Sequence, residues 1–71
     1  MKEQIFKEMV RSELKAEIQA KTRHPNDFYK EAAYLSELTE EYYEDIADRH
    51  RLTVNQLMKI GAEGLEKGWA T

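Results

Sequence analysis

Residues 44–60 have the sequence EDIADRHRLTVNQLMKI, and this stretch predicts where one helix ends and another begins. Thr53 and Gln56 stand three positions apart, which is the spacing of a capping box. In a capping box each of the two side chains accepts a hydrogen bond from the backbone N–H of the other residue. A helix is therefore predicted to begin at Val54.

This helix is expected to end at Lys67 and Gly68, a basic last turn followed by a glycine C-cap. Trp69 follows directly and could fold back on the helix end. Gly61 lowers helix propensity by about 1 kcal/mol, and with Ala62 it suggests that another helix, the first one of the chain, approaches closely here. The residues expected to face the core are Leu57, Ile60 and Leu65.

Working outward, an amphipathic pattern with steps of three and four predicts a first helix from about Lys2 to Thr22. Its apolar stripe consists of Ile5, Phe6, Met9, Val10, Leu14 and Ile18. The stripe has two interpretations, core packing or a dimer interface. It lacks the sustained heptad spacing of a long coiled coil.

The chain's one proline, Pro25, interrupts the helical pattern. Proline disfavours helix in the residue before it, so His24 is expected in a loop, and Asn26 or Asp27 then serves as an N-cap. A second helix is predicted from about residue 27 to 36 or 38. Its expected buried residues are Phe28, Ala32 and Leu35, with part of Tyr29 and Tyr34.

Thr39 has the features of a further N-cap, because Glu40 and Glu41 would lie in a first helical turn, where the helix dipole favours anions. A third helix would then cover residues 40–50, and the alternative is one bent helix through the second and third segments. The inward residues of the third segment are expected to be Tyr43, Ile46 and Ala47. The prediction is an all-α, small four-helix domain that forms a single domain over residues 1–71.

Composition excludes several classes of protein. A chain of 71 residues buries only about 60% of its unfolded surface, which allows one core but no deep substrate cavity and argues against a free-standing enzyme. The absence of Cys excludes disulfides, thiolate zinc sites and thiol nucleophiles. No apolar run approaches the roughly 20 residues of a membrane span, and acids occur throughout residues 1–24, unlike a targeting peptide. We therefore expect a soluble, cytoplasmic protein that does not contact a membrane.

The net charge of −3 is unevenly distributed. Residues 25–50 contain eight acids and two bases, whereas the segments on either side carry a small positive charge. This acidic segment is interpreted either as a solvated helix face or as a surface that attracts a basic partner and repels DNA.

Residues 44–60 resemble the helix-turn-helix of DNA-binding regulators. The match consists of a small residue on the first helix, Ala47, a turn position at Arg51, and two apolar residues, Leu57 and Ile60, that seal the helix pair. The resemblance covers about a quarter of the chain and implies that the last two helices have a helix-turn-helix arrangement. It also implies a transcriptional regulator whose last helix lies in a major groove.

The resemblance implies a set of DNA-binding residues, which are Arg51, Thr53, Asn55, Gln56 and Lys59, with Val54, Met58 and Arg49 as further contacts. Asn and Gln can bond an adenine edge in two places, whereas Lys and Arg can contact phosphates. Arg51 departs from the family, which prefers Gly at the turn because the backbone there is often left-handed. A side chain at such a position costs about 1 kcal/mol.

The acids before the turn favour a different function, because carboxylates on the first helix of the motif would repel phosphates. The alternative is an acidic protein-binding modulator, of the kind that phages and mobile elements use, that contacts a protein partner. Its expected binding residues are Glu40, Glu41, Tyr42, Tyr43 and Glu44. Aromatic side chains are enriched at protein interfaces. The partner is thus DNA or a protein. A homodimer would suit both palindromic DNA reading and the limited core, whereas a stable monomer would favour the protein-binding function.

The remaining polar residues indicate no catalytic chemistry. His24 and His50 are the only histidines, and neither has a second His at metal-ligand spacing. His50 is expected in the last turn of its helix, where a cation is favoured. No glycine-rich phosphate loop follows a strand. No metal, no cofactor and no catalytic residue are therefore predicted.

Overall fold

In a computed structural model, residues 1–69 are described, and this part of the chain forms three α-helices and no strand. The helices are α1 (Lys2–Arg23), α2 (Phe28–Arg49) and α3 (Val54–Lys67). Side-chain contacts of Glu8 with Arg49 and of His24 with Tyr34 show that α1 and α2 form an antiparallel hairpin. The last two positions of the domain predicted over 1–71 lie outside the described residues.

The prediction of four helices is wrong, because residues 28–49 form one continuous helix. Thr39 is not an N-cap but lies inside α2, where its hydroxyl donates a hydrogen bond to the Leu35 carbonyl at 2.8 Å. Threonine is accepted inside a helix when its hydroxyl bonds the carbonyl four residues earlier. No Gly or Pro occurs near Thr39 to break the helix.

The other predicted helix ends are confirmed. The Asp27 side chain caps α2 by accepting a hydrogen bond from the Lys30 N–H at 3.1 Å. Thr53 and Gln56 form the predicted capping box, and α3 begins at Val54. Gly68 ends α3 in the left-handed conformation, with φ 68°.

The core lies where the three helices meet. This is the end of the hairpin that contains the N-terminus of α1 and the C-terminus of α2. Its buried members are Ile5, Phe6, Met9, Ile46, Ala47, Leu57 and Ile60. Trp69 folds back as expected, and its ring meets the Phe6 ring edge to face at 6.1 Å between centroids. The third helix thus covers only one half of the hairpin.

Several apolar residues predicted to be buried are exposed. Leu65 is 78% exposed and Phe28 75% exposed, and the second half of the α1 stripe, Leu14 and Ile18, also faces outward. Ala32 is exposed as well. Leu65 faces outward because its neighbour Gly64 packs against Phe6. On the hairpin, Ala16 and Ala20 are buried, while α3 does not extend far enough to cover the larger side chains.

Of the two glycines inside α3, Gly64 makes the tighter contact with α1. A Cβ atom placed on Gly64 would overlap the ring of Phe6, whereas a Cβ on Gly61 would lie 3.0 Å from the terminal methyl of Met9. The tight contact was expected at Gly61, but the structure places the tighter one a turn later. The Phe6 ring occupies the space that a side chain at Gly64 would need.

A polar contact closes the same end of the hairpin from the other side. The Glu8 carboxylate accepts a hydrogen bond from Arg49 at 2.8 Å, and its second oxygen lies 2.6 Å from Nε2 of His50. Burial raises the pKa of Glu8, but the hydrogen bonds with His50 and Arg49 outweigh this effect, and the net pKa is lowered. The cluster therefore joins α1 to the last turn of α2.

We expect Gly64→Ala to destabilise the protein by about 1–3 kcal/mol, because the new methyl group must displace the buried Phe6 ring. The matched control is Gly61→Ala, which should stay within about 1 kcal/mol of wild type, because gained helix propensity offsets a small shift of the flexible Met9 side chain. Urea denaturation followed by circular dichroism measures both. Equal effects of the two variants would contradict the assignment of Gly64 as the close contact.

Glu8 should contribute to stability in a pH-dependent way. Its folded pKa is lower than its ordinary value of 4.5, so its contribution is complete above that value and is lost as pH falls through the folded pKa. We expect Glu8→Gln to lower the melting temperature at pH 7, and we expect this effect to shrink progressively as the pH falls below 4.5. Glu41→Gln, at an exposed position on α2, is the control; a pH-independent effect of Glu8→Gln would contradict the prediction.

Candidate functional site

The turn between α2 and α3 has a regular hydrogen-bonded form that fixes the direction of α3. The Leu52 N–H bonds the Ala47 carbonyl at 2.8 Å, and the Arg51 N–H bonds the Asp48 carbonyl at 3.2 Å. These two bonds make a Schellman motif, which requires a left-handed residue just past the helix end. Arg51 occupies that position with φ 56° and is the only non-glycine residue with positive φ among residues 1–69.

The residues that match the helix-turn-helix pattern lie together around this turn. Ala47, Leu57 and Ile60 are buried, with exposures of 3%, 0% and 8%. Because α2 ends at Arg49 and α3 begins at Val54, residues 50–53 separate the two helices. The short turn and the buried contact hold the two helices in a fixed relation.

α3 has a second apolar stripe that does not face the core. Val54, Met58, Ala62 and Leu65 are spaced by three and four positions and share one side of the helix. Val54 is 41% exposed and Met58 52% exposed, and Leu65 is more exposed than either. A helix with two apolar stripes can bury one in its own domain and offer the other to a partner.

This exposed stripe forms one wall of a groove that we name the α3 groove. It consists of two adjoining cavities of about 300 and 450 Å³ that share Tyr43 and Met58. Its lining comprises Phe6, Met9, Val10, Glu13, Ser36, Thr39, Glu40, Tyr43, Glu44, Val54, Met58, Gly61, Ala62 and Leu65. The groove follows the exposed side of α3 along its contact with α1 and α2.

Carboxylates surround the apolar floor of the α3 groove. Glu40 and Glu44, one turn apart on α2, flank the end where Val54 lies, and Glu13 of α1 stands at the other cavity. The Tyr43 hydroxyl donates a hydrogen bond to Glu13. Burial, and then the bond with Glu13, raise the pKa of Tyr43 further above its ordinary value, and the phenol is neutral at physiological pH. The result is an apolar, uncharged floor with a negative rim.

Apart from Arg51, which lies in the turn, the predicted DNA-binding residues fall into two groups. Arg51, Thr53, Asn55, Gln56 and Lys59 are all exposed. Thr53 and Gln56, however, are held by the capping box, in which Gln56 Oε1 accepts a bond from the Thr53 N–H at 2.8 Å. Gln56 would have to open the box to bond an adenine in two places. Asn55 and Lys59 lie one turn apart on the outer side of α3, and neither side chain takes part in the capping box.

The predicted protein-binding residues are also divided. Glu40, Tyr43 and Glu44 line the α3 groove. Tyr42 instead contacts α1, where its hydroxyl accepts a bond from Gln19 Nε2 at 3.1 Å and Lys15 lies over its ring. Glu41 is exposed and does not line the groove.

The apolar half of this site does not follow from the sequence pattern, which predicts Leu65 in the core and Met58 at a DNA contact. The spacing from Val54 through Met58 to Leu65 is nevertheless helical. Two apolar stripes on one helix both recur every three to four residues, so the spacing does not show which of them is buried. The contact of Gly64 with Phe6 determines this.

Comparison of the chain with protein-family models, curated proteins and solved structures gives no significant match. Within residues 1–69, no helix has both the length and the apolar character that crossing a membrane requires. The same part of the chain contains no group of three or more His, Asp or Glu side chains placed to hold a metal ion.

We expect Arg51→Gly to stabilise the protein by about 0.5–1 kcal/mol, because glycine removes the steric cost of left-handed backbone and this gain exceeds the added freedom of the unfolded chain. Arg51→Ala keeps the Cβ atom and should change stability little, which separates the backbone effect from the loss of charge. Arg51→Val should destabilise by about 1–2 kcal/mol. Thermal melts of the three variants measure this order, and a stabilising Val would contradict it.

Proposed function

We propose that the protein is a small, non-enzymatic regulator that binds a protein partner, and that the α3 groove receives a basic amphipathic helix of this partner. The observation that carries the proposal is the exposed stripe of Val54, Met58 and Leu65 beside the carboxylates of Glu40 and Glu44. An apolar groove that holds an amphipathic helix is a recurrent mode of peptide recognition.

The chemistry of the groove defines the ligand. Apolar side chains of the ligand, spaced by three and four residues, would pack on Met58 and its neighbours, while Lys or Arg on its flanks would meet Glu40 and Glu44. Each fully buried large apolar side chain contributes about 1.5–3 kcal/mol, and each ion pair on the exposed rim about 0–1 kcal/mol. After the loss of motional freedom is subtracted, an affinity in the micromolar range is expected.

The charges contribute chiefly to the choice of partner and to the rate of association. A negative rim attracts a basic segment and repels an acidic one. Binding through exposed charges should therefore weaken as salt is added, because ions screen them over about 8–10 Å at physiological concentration. The apolar contacts should persist.

A second candidate function is DNA binding through the outer face of α3. It is supported by the resemblance to the helix-turn-helix, by the short turn with Arg51 in a left-handed conformation, and by the exposure of Asn55 and Lys59. Glu40 and Glu44 oppose it, because the groove places them beside the N-terminal part of α3, where phosphates would approach.

One pair of charge reversals separates the two candidates. Glu40→Lys with Glu44→Lys should weaken groove binding at least ten-fold, because it replaces two attractive contacts by two repulsive ones. The probe is a fluorescent helical peptide with leucines on one face and lysines on its flanks, and anisotropy measures its binding. Glu3→Lys with Glu66→Lys changes the net charge equally at exposed positions outside the groove and should weaken binding by less than three-fold.

The same variants in a low-salt mobility-shift assay with a random-sequence duplex test the second candidate. If the protein reads DNA, the Glu40 and Glu44 double variant retards the duplex more strongly than both wild type and the control. Equal loss of peptide binding in the double variant and the control would overturn the groove proposal. Equally strong binding of a peptide with glutamates in place of lysines would overturn it as well.

A further inference from the structure

The half of the hairpin remote from α3 exposes large apolar side chains on both helices. We name this half, residues 14–35, the hairpin tip. On α1, Leu14 is 55% exposed and Ile18 67% exposed, and on α2, Phe28 is 75% exposed and Tyr29 85% exposed. These residues share no position with the lining of the α3 groove.

The hairpin tip lacks the third layer that the other half has. The only apolar side chains buried within it are those of Ala16 and Ala20. A groove of about 350 Å³ lies between its two helices, with Ala20 and Ala32 among its lining and Phe28 and Leu35 beside them. Small residues in such a groove leave room for the side chains of a facing helix.

The charges of the hairpin tip are self-complementary. Residues 15–23 of α1 contain three bases and one acid, whereas residues 27–35, from the N-cap of α2 onward, contain two acids, Asp27 and Glu31, and one base. Lys21 and Glu31 both line the groove of the tip. In a two-fold symmetric contact each residue pair occurs twice, so α1 of one copy over α2 of the other would join opposite charges at two places.

We propose that the hairpin tip is covered by the hairpin tip of a second copy, in an antiparallel four-helix bundle. The two copies of α1 and α2 form the bundle, and the two α3 helices lie at its opposite ends. Such bundles bury the apolar faces of paired hairpins at shallow crossing angles. A second copy supplies apolar side chains that would pack on this surface and charges that would complement its own.

Phe28 lines the groove of the tip and Ile18 is exposed on α1, so both would supply apolar contacts, while Lys21 and Glu31, which also line the groove, would supply the charged border. Because the α3 groove lies outside the tip, the dimer would leave it open. The proposal stands on residues that the proposed function does not use, so either can fail without the other.

The first test is the mass of the full chain in solution by sedimentation equilibrium. Wild type should be a dimer, and Ile18→Ser with Phe28→Ser should raise the dimer dissociation constant at least 100-fold while the circular dichroism of the monomer stays helical. The matched control, Val54→Ser with Met58→Ser, removes exposed apolar side chains from the α3 groove and should leave the dimer intact. A wild-type chain that stays monomeric up to about 1 mM, or a dimer that only the control dissociates, overturns the proposal.

The second test is a charge exchange between chains. Lys21→Glu and Glu31→Lys should each weaken the homodimer at least ten-fold, because each places like charges together twice. Mixed in equal amounts, the two variants should form a heterodimer as stable as wild type within about three-fold, since each contact then again joins a base to an acid. Failure of the mixture to associate, or homodimers as strong as wild type, would show that these residues do not face each other.

Discussion

The contact of Phe6 with Gly64 determines which side of α3 faces the core. Because Gly64 has no side chain, the Phe6 ring can lie directly against the α3 backbone, and Leu57 and Ile60 are turned inward with it. The next stripe around the helix, from Val54 to Leu65, is then turned outward. The candidate binding surface of the protein is therefore a direct consequence of how the core is packed.

The unequal length of the helices has a second consequence. α1 and α2 have 22 residues each and α3 has 14, which corresponds to about 33 Å and 21 Å at the rise of an α-helix. A helix of that length packed at one end cannot cover both halves of the hairpin. Residues of the remote half keep their apolar character without being buried, and this is the surface that a second copy would cover.

The sequence predicts the helix ends well because they depend on neighbouring residues alone. The Asp27 cap, the Thr53–Gln56 capping box and the left-handed Gly68 each follow from side chains and backbone within a few positions. Thr39 shows the limit of this reasoning. A threonine followed by acids fits an N-cap and also fits a helix interior, and the choice depends on whether the chain before it is already helical.

Burial was harder to predict than helix position, because it depends on which residues meet across the fold. Leu65 and Phe28 have the character of core residues, yet both are largely exposed in the folded chain. Ala16 and Ala20 are not part of the predicted apolar stripe of α1, yet they are among the most deeply buried side chains. For the candidate site, the acidic half was predicted through Glu40, Tyr43 and Glu44, while the apolar half required the orientation of α3.

The acidic segment of residues 25–50 is not one surface in the folded protein. Asp27 caps α2, and Asp45 forms an ion pair with Arg49 at 3.1 Å, so these carboxylates stabilise the helix that carries them. Glu31 lies at the hairpin tip, whereas Glu40 and Glu44 border the α3 groove. A net charge summed along the sequence therefore overstates how strongly most of this segment would repel DNA. It also does not show where on the surface the repulsion would act. Glu40 and Glu44 are the carboxylates beside α3, so under the proposed function the same two side chains would oppose DNA and select a basic helix.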